Sequence, residues 1–207
     1  MWLSKVLQLQ AFLPKGPPPS FSLGHVALAI LEIDNRFIAR KQLALNLGLG
    51  EGAVRTLIDR LKRAQMLSTF ASGCRLSELG IQVYDDINDK LGPFEPPSIQ
   101  LWGKHSFGLR MKRIASEIGN GLELRDTAVR FGAVGAIILV YLNGRLQMPG
   151  LSDLTNEHPD QARTIISTVR LHDKDVILVT WAEKTHTAKL SALSTAINLA
   201  KKHAMIS

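Results

Sequence analysis

The sequence concentrates cationic side chains in one stretch, and their spacing suits contact with phosphate groups. Residues 36–75 contain eight Lys or Arg and two acidic residues, within a chain of 207 residues whose net charge is +7. Between residues 51 and 63 the cations fall opposite the apolar positions of a predicted helix. They could therefore approach a nucleic-acid backbone while the apolar side packs on the protein. An ordinary solvated helix surface has the same composition, so the charge alone does not distinguish a nucleic-acid-binding helix from a merely solvated one.

Two predicted helices separated by glycines position these cations. Leu43, Ala44 and Leu47 lie on one side of a short first helix. Gly48 and Gly50 follow it, and glycine adopts positive φ without steric cost, so the chain can turn sharply there. In the second helix the apolar residues recur at i, i+3, i+4 and i+7, which predicts one buried side. These apolar residues are Val54, Leu57, Ile58 and Leu61.

A predicted hairpin and a capped helix follow the basic helix. Residues 66–70 and 74–77 have the composition of two short strands joined by the small residues 71–73. Ser77 is a suitable N-cap for the next helix. Residues 76–80 read Leu-Ser-Glu-Leu-Gly, and this segment resembles the Leu-Thr-x-x-Gly by which MarR-like winged-helix regulators leave the wing and start a helix. The ordered series of helices, glycine turn, wing and Leu-Ser-x-x-Gly extends this resemblance over residues 21–90.

The resemblance implies a winged helix-turn-helix that binds double-stranded DNA. In such proteins the N-terminal part of the second helix enters the major groove, so Arg55 and Thr56 are predicted to reach base edges. Arg60 and Arg63 lie later on the helix and are predicted to hold phosphates. Arg75, beside the hairpin tip, is predicted to reach a minor groove or a flanking phosphate. The predicted DNA-contacting residues are Lys41, Gln42, Gly52, Arg55, Thr56, Arg60, Arg63, Ser72 and Arg75.

Composition divides the chain into four parts. Residues 1–19 are predicted to be a lead-in, in which residues 1–13 form a short helix that packs on a partner and the prolines that follow form a stiff segment. Residues 20–91 form the winged-helix domain, and the proline-rich residues 92–98 form a semi-rigid linker. Residues 99–207 form a second domain.

The last helix of the first domain has an apolar residue at every fourth position from Leu79 to Leu91. Such a stripe packs either against the same helix of a second copy or against the core of its own domain. The pattern is consistent with both.

The second half is predicted to follow the order β-α-β-β-α-β-α. Strand-like alternation begins near Phe107, and Asn143-Gly144 is the preferred dipeptide of a two-residue hairpin. This order is that of a ferredoxin-like βαββαβ domain with an added helix. The predicted fold class is therefore α+β.

Short motifs in the second half carry a further resemblance. They are Asn120-Gly121, Arg125-Asp126-x-Ala128, Gly132-Ala133-x-Gly135-Ala136 and the hairpin end Pro149-Gly150. Together they resemble an uncharacterised archaeal family in which a winged helix precedes a domain of unknown function. This resemblance implies a role in transcriptional regulation and leaves the chemistry of the second domain open.

Arg125 and Asp126 are the polar pair most suited to a site in the second domain. Sequence neighbours on a helix point about 100° apart and do not face each other. Either Arg125 pairs elsewhere in the domain or dimer while Asp126 bonds the backbone, or the two residues contact a ligand. Gly132 and Gly135 close a helix and open a strand, the reverse of a dinucleotide fingerprint. No catalytic residue and no cofactor are predicted, and the protein is not expected to be an enzyme.

Other residue types limit the cell compartment and the cofactors. A single cysteine, Cys74, excludes an intrachain disulfide. The histidines are scattered, so no metal site is predicted. No stretch approaches the ~20 apolar residues that cross a bilayer. Residues 1–5 lack the features of a signal peptide, so a cytoplasmic protein without membrane association is expected.

The leading functional prediction is a DNA-binding transcriptional regulator with a C-terminal ligand-sensing or dimerisation domain. It is expected to be a homodimer, since one winged helix offers few specific contacts, and a small-molecule effector is a further expected partner. The alternative is an enzyme or nucleotide-binding α/β domain fused to a winged helix that serves protein interaction. Salt dependence of duplex binding separates the two hypotheses.

Overall fold

The computed structural model describes residues 20–99 and 101–206, with side chains through residue 202. It is a mixed α+β protein with helices in its N-terminal part and a sheet in its C-terminal part. The chain divides into a first unit, which ends at Asp89 and also includes the residues from Ala200 onwards, and a second unit, Lys90–Leu199. The predicted lead-in of residues 1–19, with its short partner-binding helix, lies outside the described residues.

The first unit consists of helices and one hairpin. Its two strands pair antiparallel with Leu67 opposite Leu76, and Ile38 adds a single bridge to Cys74. In chain order the elements are α1 (Leu23–Ile33), α2 (Arg40–Leu47), α3 (Glu51–Arg63), β1 (Leu67–Phe70), β2 (Gly73–Leu76) and α4 (Glu78–Leu91).

The turn between α2 and α3 uses one of its two glycines for a left-handed conformation. Gly48 ends α2 with φ 65° and ψ 26°. Gly50 precedes α3 in an extended conformation, with φ −69°. The apolar side predicted for α3 is confirmed, because Val54 and Leu57 are completely buried and Ile58 and Leu61 nearly so. Burial of that side fixes the orientation of the whole helix.

The Leu-Ser-x-x-Gly segment has a clear structural role. The Ser77 hydroxyl accepts a hydrogen bond from the Gly80 N–H at 3.2 Å, which confirms the predicted N-cap of α4. The same hydroxyl donates to the carbonyl of Gln65, just beyond α3. A Cβ added at Gly80 would overlap the carbonyl of Met66. Serine therefore ties the start of α4 to the end of α3, and glycine permits the close approach.

The apolar stripe of α4 lies mostly inside the chain. Val83, Ile87 and Leu91 are completely buried, whereas Leu79 is 37% exposed. Since the side chains are covered without a second copy, the stripe packs within its own chain. This corrects the alternative in which the stripe holds a dimer.

The second unit is built on a six-stranded antiparallel sheet in the order β3-β4-β8-β5-β6-β7. A short 3-10 turn, Ala115–Glu117, precedes its first helix. The strands and helices are β3 (Pro93–Phe94), β4 (His105–Met111), α5 (Leu122–Arg130), β5 (Gly135–Leu142), β6 (Arg145–Met148), β7 (Ser152–Asp153), α6 (Leu154–Glu157), α7 (Pro159–Thr168), β8 (Val176–Ala182) and α8 (Thr185–Ile206).

The strand order differs from the predicted ferredoxin-like one, which is a correction to the predicted fold. Among the four predicted strands, the ferredoxin-like order places the first beside the third. In the structure, the fourth predicted strand is β8, and it lies between β4 and β5. These two neighbours are the first and second predicted strands. The reason is burial, because Val176 to Val179 are completely buried on both faces of β8. A strand without a polar face is most stable at the centre of a sheet.

Both faces of the sheet are covered. On one face, α6 and α7 pack against β8 and β5 around a cluster that contains Leu154, Ile165, Ile177 and Leu139. On the other face, the Thr180 hydroxyl of β8 donates to the Ala188 carbonyl of α8 at 2.8 Å. None of the described helices is long and apolar enough to cross a membrane.

The segment predicted as a linker, 92–98, contributes to the sheet. Pro93 and Phe94 form β3 and pair with Leu109 and Gly108 of β4. The Phe94 ring lies on Gly108, where an added Cβ would overlap it. Proline is tolerated because β3 is an edge strand. The first part of the segment is therefore fixed to the second unit.

The predicted hairpin at Asn143-Gly144 is confirmed. The two residues have φ values of 50° and 78°, as a type I′ turn requires, and Leu142 pairs with Arg145.

A buried carboxylate joins the strand ends on one side of the sheet. Asp175 is completely buried and accepts hydrogen bonds at 3.0 Å from the backbone N–H groups of Arg113 and His172. The Arg110 guanidinium lies 3.8 Å from the same carboxylate. The Asp175 carbonyl accepts from the Tyr141 N–H of β5. One residue thus connects segments next to β4, β5 and β8.

We expect Asp175→Ala to destabilise the protein by about 3 to 5 kcal/mol, since it removes a buried carboxylate that accepts two backbone hydrogen bonds and faces the Arg110 guanidinium. Urea unfolding followed by circular dichroism measures this change. The control is Asp160→Ala, which removes an exposed ion pair with Arg163 and should have little effect. Equal stability of the two variants would contradict this role of Asp175.

Candidate functional site

One side of α3 is exposed and carries four of the nine predicted contact residues. Successive helix residues are about 100° apart, so positions 52, 55, 56, 59, 62 and 63 share an arc of about 120°. All six are exposed. Lys62, which the predicted set omitted, belongs to this arc, although its place on the outer side of the helix was readable from the sequence. The arc offers three cations, Arg55, Lys62 and Arg63, beside Asp59.

Arg60 lies outside this arc. It is half-buried, and its guanidinium carbon is 4.9 Å from the centre of the Phe21 ring. Its Nη1 atom is buried without a hydrogen-bond partner among the described residues. The structure therefore places Arg60 against the protein, at the border of the buried side of α3.

Polar contacts hold two other predicted residues. The Thr56 hydroxyl donates to the Gly52 carbonyl at 3.1 Å within α3. At the start of α2, the Gln42 amide donates to Asn46 at 2.7 Å, and Asn46 donates to Glu32 of α1 at 2.7 Å. Lys41 is exposed beside Gln42. These contacts order the side chains before any partner binds.

The hairpin places Arg75 against a pair of aromatic rings. The Arg75 guanidinium carbon lies 5.6 Å from the ring centre of Phe37 and 5.4 Å from that of Phe70. The two rings meet edge to face at 5.1 Å and are about half exposed. Ser72 is exposed at the hairpin tip. The rings hold the cation in place, a contact that sequence analysis missed because it depends on the Ile38–Cys74 bridge.

That bridge fixes the hairpin to the segment before α2. Gly73 has φ 154°, and an added Cβ would overlap the Ile38 carbonyl. Cys74 is 2% exposed, with its Sγ 3.7 Å from the same carbonyl. Burial raises the pKa of the Cys74 thiol, while the positive charge of Arg40 lowers it by a smaller amount.

We expect Cys74 to react slowly with iodoacetamide in the folded protein, because the thiolate is the reactive form and both burial and the raised pKa reduce its accessible amount. The measurement compares alkylation rates with and without denaturant at one pH. The alkylation rate of the folded protein should be much lower than that of the denatured protein. It should increase only at pH values above those at which an ordinary thiol ionises. Equal rates in the two conditions would show that the bridge opens readily.

The second unit contains a cleft of about 300 Å³. Arg125 of α5 lines it, whereas Asp126 does not. Both side chains are exposed, and the predicted divergence of the two neighbours agrees with this placement. No group of three or more His, Cys, Asp or Glu side chains converges within the described part of the chain.

Both units are similar to uncharacterised families. Residues 26–82 match the N-terminal domain of PH0730-like proteins. Residues 102–199 match a domain of unknown function, DUF4443. The solved structure of the hypothetical protein PH0730 from Pyrococcus horikoshii OT3 is 28% identical in sequence and has a TM-score of 0.71. That similarity covers 88% of this chain and 95% of the other.

No curated protein matches the chain. The matches to the two domain models and to PH0730 agree with the resemblance to an uncharacterised family noted from the motifs of the second half. None of the three descriptions names an activity or a ligand.

Proposed function

We propose that the first unit is a winged helix that binds double-stranded DNA, and that the protein is a transcriptional regulator. The observation that carries the proposal is the division of α3 into a buried apolar side and an exposed arc with Arg55, Lys62 and Arg63. A helix held in this way can present its cations to the DNA groove without losing its own core.

Within α3, position decides the role of each residue. Arg55 and Thr56 lie in the first two turns, the part of a recognition helix that reaches base edges. Lys62 and Arg63 lie in the last turn and contact phosphates. Arg60 packs on Phe21 and supports the helix from the protein side.

The β1–β2 hairpin is the wing in this proposal. The Arg75 guanidinium packs against Phe37 and Phe70, so less side-chain entropy remains to be lost when it meets a phosphate or a minor groove. Ser72 at the tip is small enough for close approach to the backbone. The second unit senses a ligand or joins two copies, and the regulator acts on DNA in the cytoplasm.

We expect Arg55→Ala to reduce the preference for a selected duplex over a random one, by about 1 to 3 kcal/mol if the contact is bidentate to guanine. Arg63→Ala should weaken binding to both duplexes equally and reduce the salt slope by about 1. Duplexes come from selection on a random pool, and fluorescence anisotropy at several salt concentrations measures both quantities.

The control for these variants is Arg163→Ala, which removes the same charge from α7 of the second unit. It should change neither the preference nor the slope. Negligible duplex binding by the unmodified protein at low salt would contradict the proposal. Weaker binding of Arg55→Ala to both duplexes, with an unchanged preference between them, would instead assign Arg55 to the phosphate backbone.

We expect two chains to bind one duplex at half-sites about one helical turn apart, because a single winged helix makes few contacts. Sedimentation of the full chain at micromolar concentration, with and without the selected duplex, measures the stoichiometry. A monomer in both samples would remove the dimer and the paired half-sites from the proposal while leaving DNA binding itself intact.

A further inference from the structure

The cleft of the second unit lies along an edge of β5. Consecutive residues from Val134 to Ile138 line it. Neighbouring residues of a strand point to opposite faces of the sheet. A cleft that touches all of them therefore follows the edge of the strand instead of either face.

Among the described residues, no strand pairs with this edge of β5 along its first half. On one side β5 pairs with β8 from Gly135 to Val140. On the other side it pairs with β6 only from Val140 to Leu142. Pro149 follows β6 and has no N–H with which to extend the ladder.

The open edge directs polar backbone groups into the cleft. The Tyr141 N–H points to the β8 side, since it donates to the Asp175 carbonyl. Backbone groups of alternate residues share a side. Ala136 and Ile138 therefore present their N–H and C=O groups to the other side, which is the cleft.

The walls of the cleft are apolar. The indole of Trp181 lies on Gly135, where an added Cβ would overlap it, and Ile138 packs beneath Gly121. At the rim, Leu122 is 49% exposed and Leu151 is 79% exposed. Large apolar side chains left open around a concave site are typical of a binding surface.

One cation stands beside these apolar walls. The Arg125 side chain lines the cleft, and its guanidinium makes no hydrogen bond or ion pair with the described residues. Asn120 accepts a hydrogen bond from the Leu122 N–H through Oδ1, which leaves its amide nitrogen as a donor at the same end. The charge and the donors are suited to an anionic group, and a guanidinium matches a carboxylate well.

We propose that the cleft binds a small carboxylate with an apolar body. The carboxylate contacts Arg125, the body lies against Trp181 and Ile138, and any amide of the ligand bonds the open edge at Ala136. This proposal gives a ligand class to the second unit of the proposed regulator. It rests on the proposed function only where the ligand is taken to be an effector of DNA binding.

The test uses three probes of equal chain length and different charge, octanoate, octanol and octylammonium, with the full chain in the absence of DNA. Amide chemical shifts in ¹⁵N spectra report where each probe binds. Octanoate should shift the amides of residues 134–138 and bind more tightly than octylammonium. Arg125→Gln should weaken octanoate binding about tenfold or more and leave octanol binding unchanged.

Arg130→Gln is the matched control, since Arg130 lies on the same helix and does not line the cleft. It should bind octanoate like the unmodified protein. Three results would overturn the inference: no shift of these amides by octanoate at about 10 mM, equal octanoate affinity in Arg125→Gln, or a dimer that dissociates in Leu151→Asp while octanoate does not bind. Because no DNA is present, failure of DNA binding leaves this result unaffected.

Discussion

Burial of one side of α3 determines where the cations of the first unit lie. The helix has no freedom to rotate, because turning it would expose Leu57 and bury charged groups without partners. Arg55 and Arg63 must therefore point outwards together. The neighbouring contacts maintain this orientation, since Ser77 ties α4 to the end of α3. Any binding surface on this unit depends on the same packing.

Burial of apolar side chains also determines the strand order of the second unit. Because β8 is apolar on both faces, it occupies the centre of the sheet and carries β4 and β5 at its two edges. The β5–β6 hairpin then lies outside, and its pairing stops where Pro149 begins. The open part of β5 is thus a consequence of strand order and of one proline. The cleft beside Arg125 exists for the same reason.

Local patterns were sufficient to predict the apolar side of α3, the cap at Ser77 and the turn at Asn143-Gly144, since each depends on a few adjacent residues. The short helix α6 was not predicted. Strand order was not predictable in this way, because it depends on which strand loses most apolar exposure at the centre. Periodicity also assigned Arg60 to the outer surface, although its position borders the buried side and Phe21 is nearby. The setting of Arg75 depends on a bridge between distant segments.

The central claim, that α3 and the hairpin form a DNA-binding surface, is tested most directly by hydrogen exchange of the full chain with and without a selected duplex. The account predicts slower exchange in residues 51–63 and 67–76 when the duplex is bound, because contact and exclusion of water suppress local opening there. Exchange that is unchanged in these segments, or protection confined to the second unit, would contradict it.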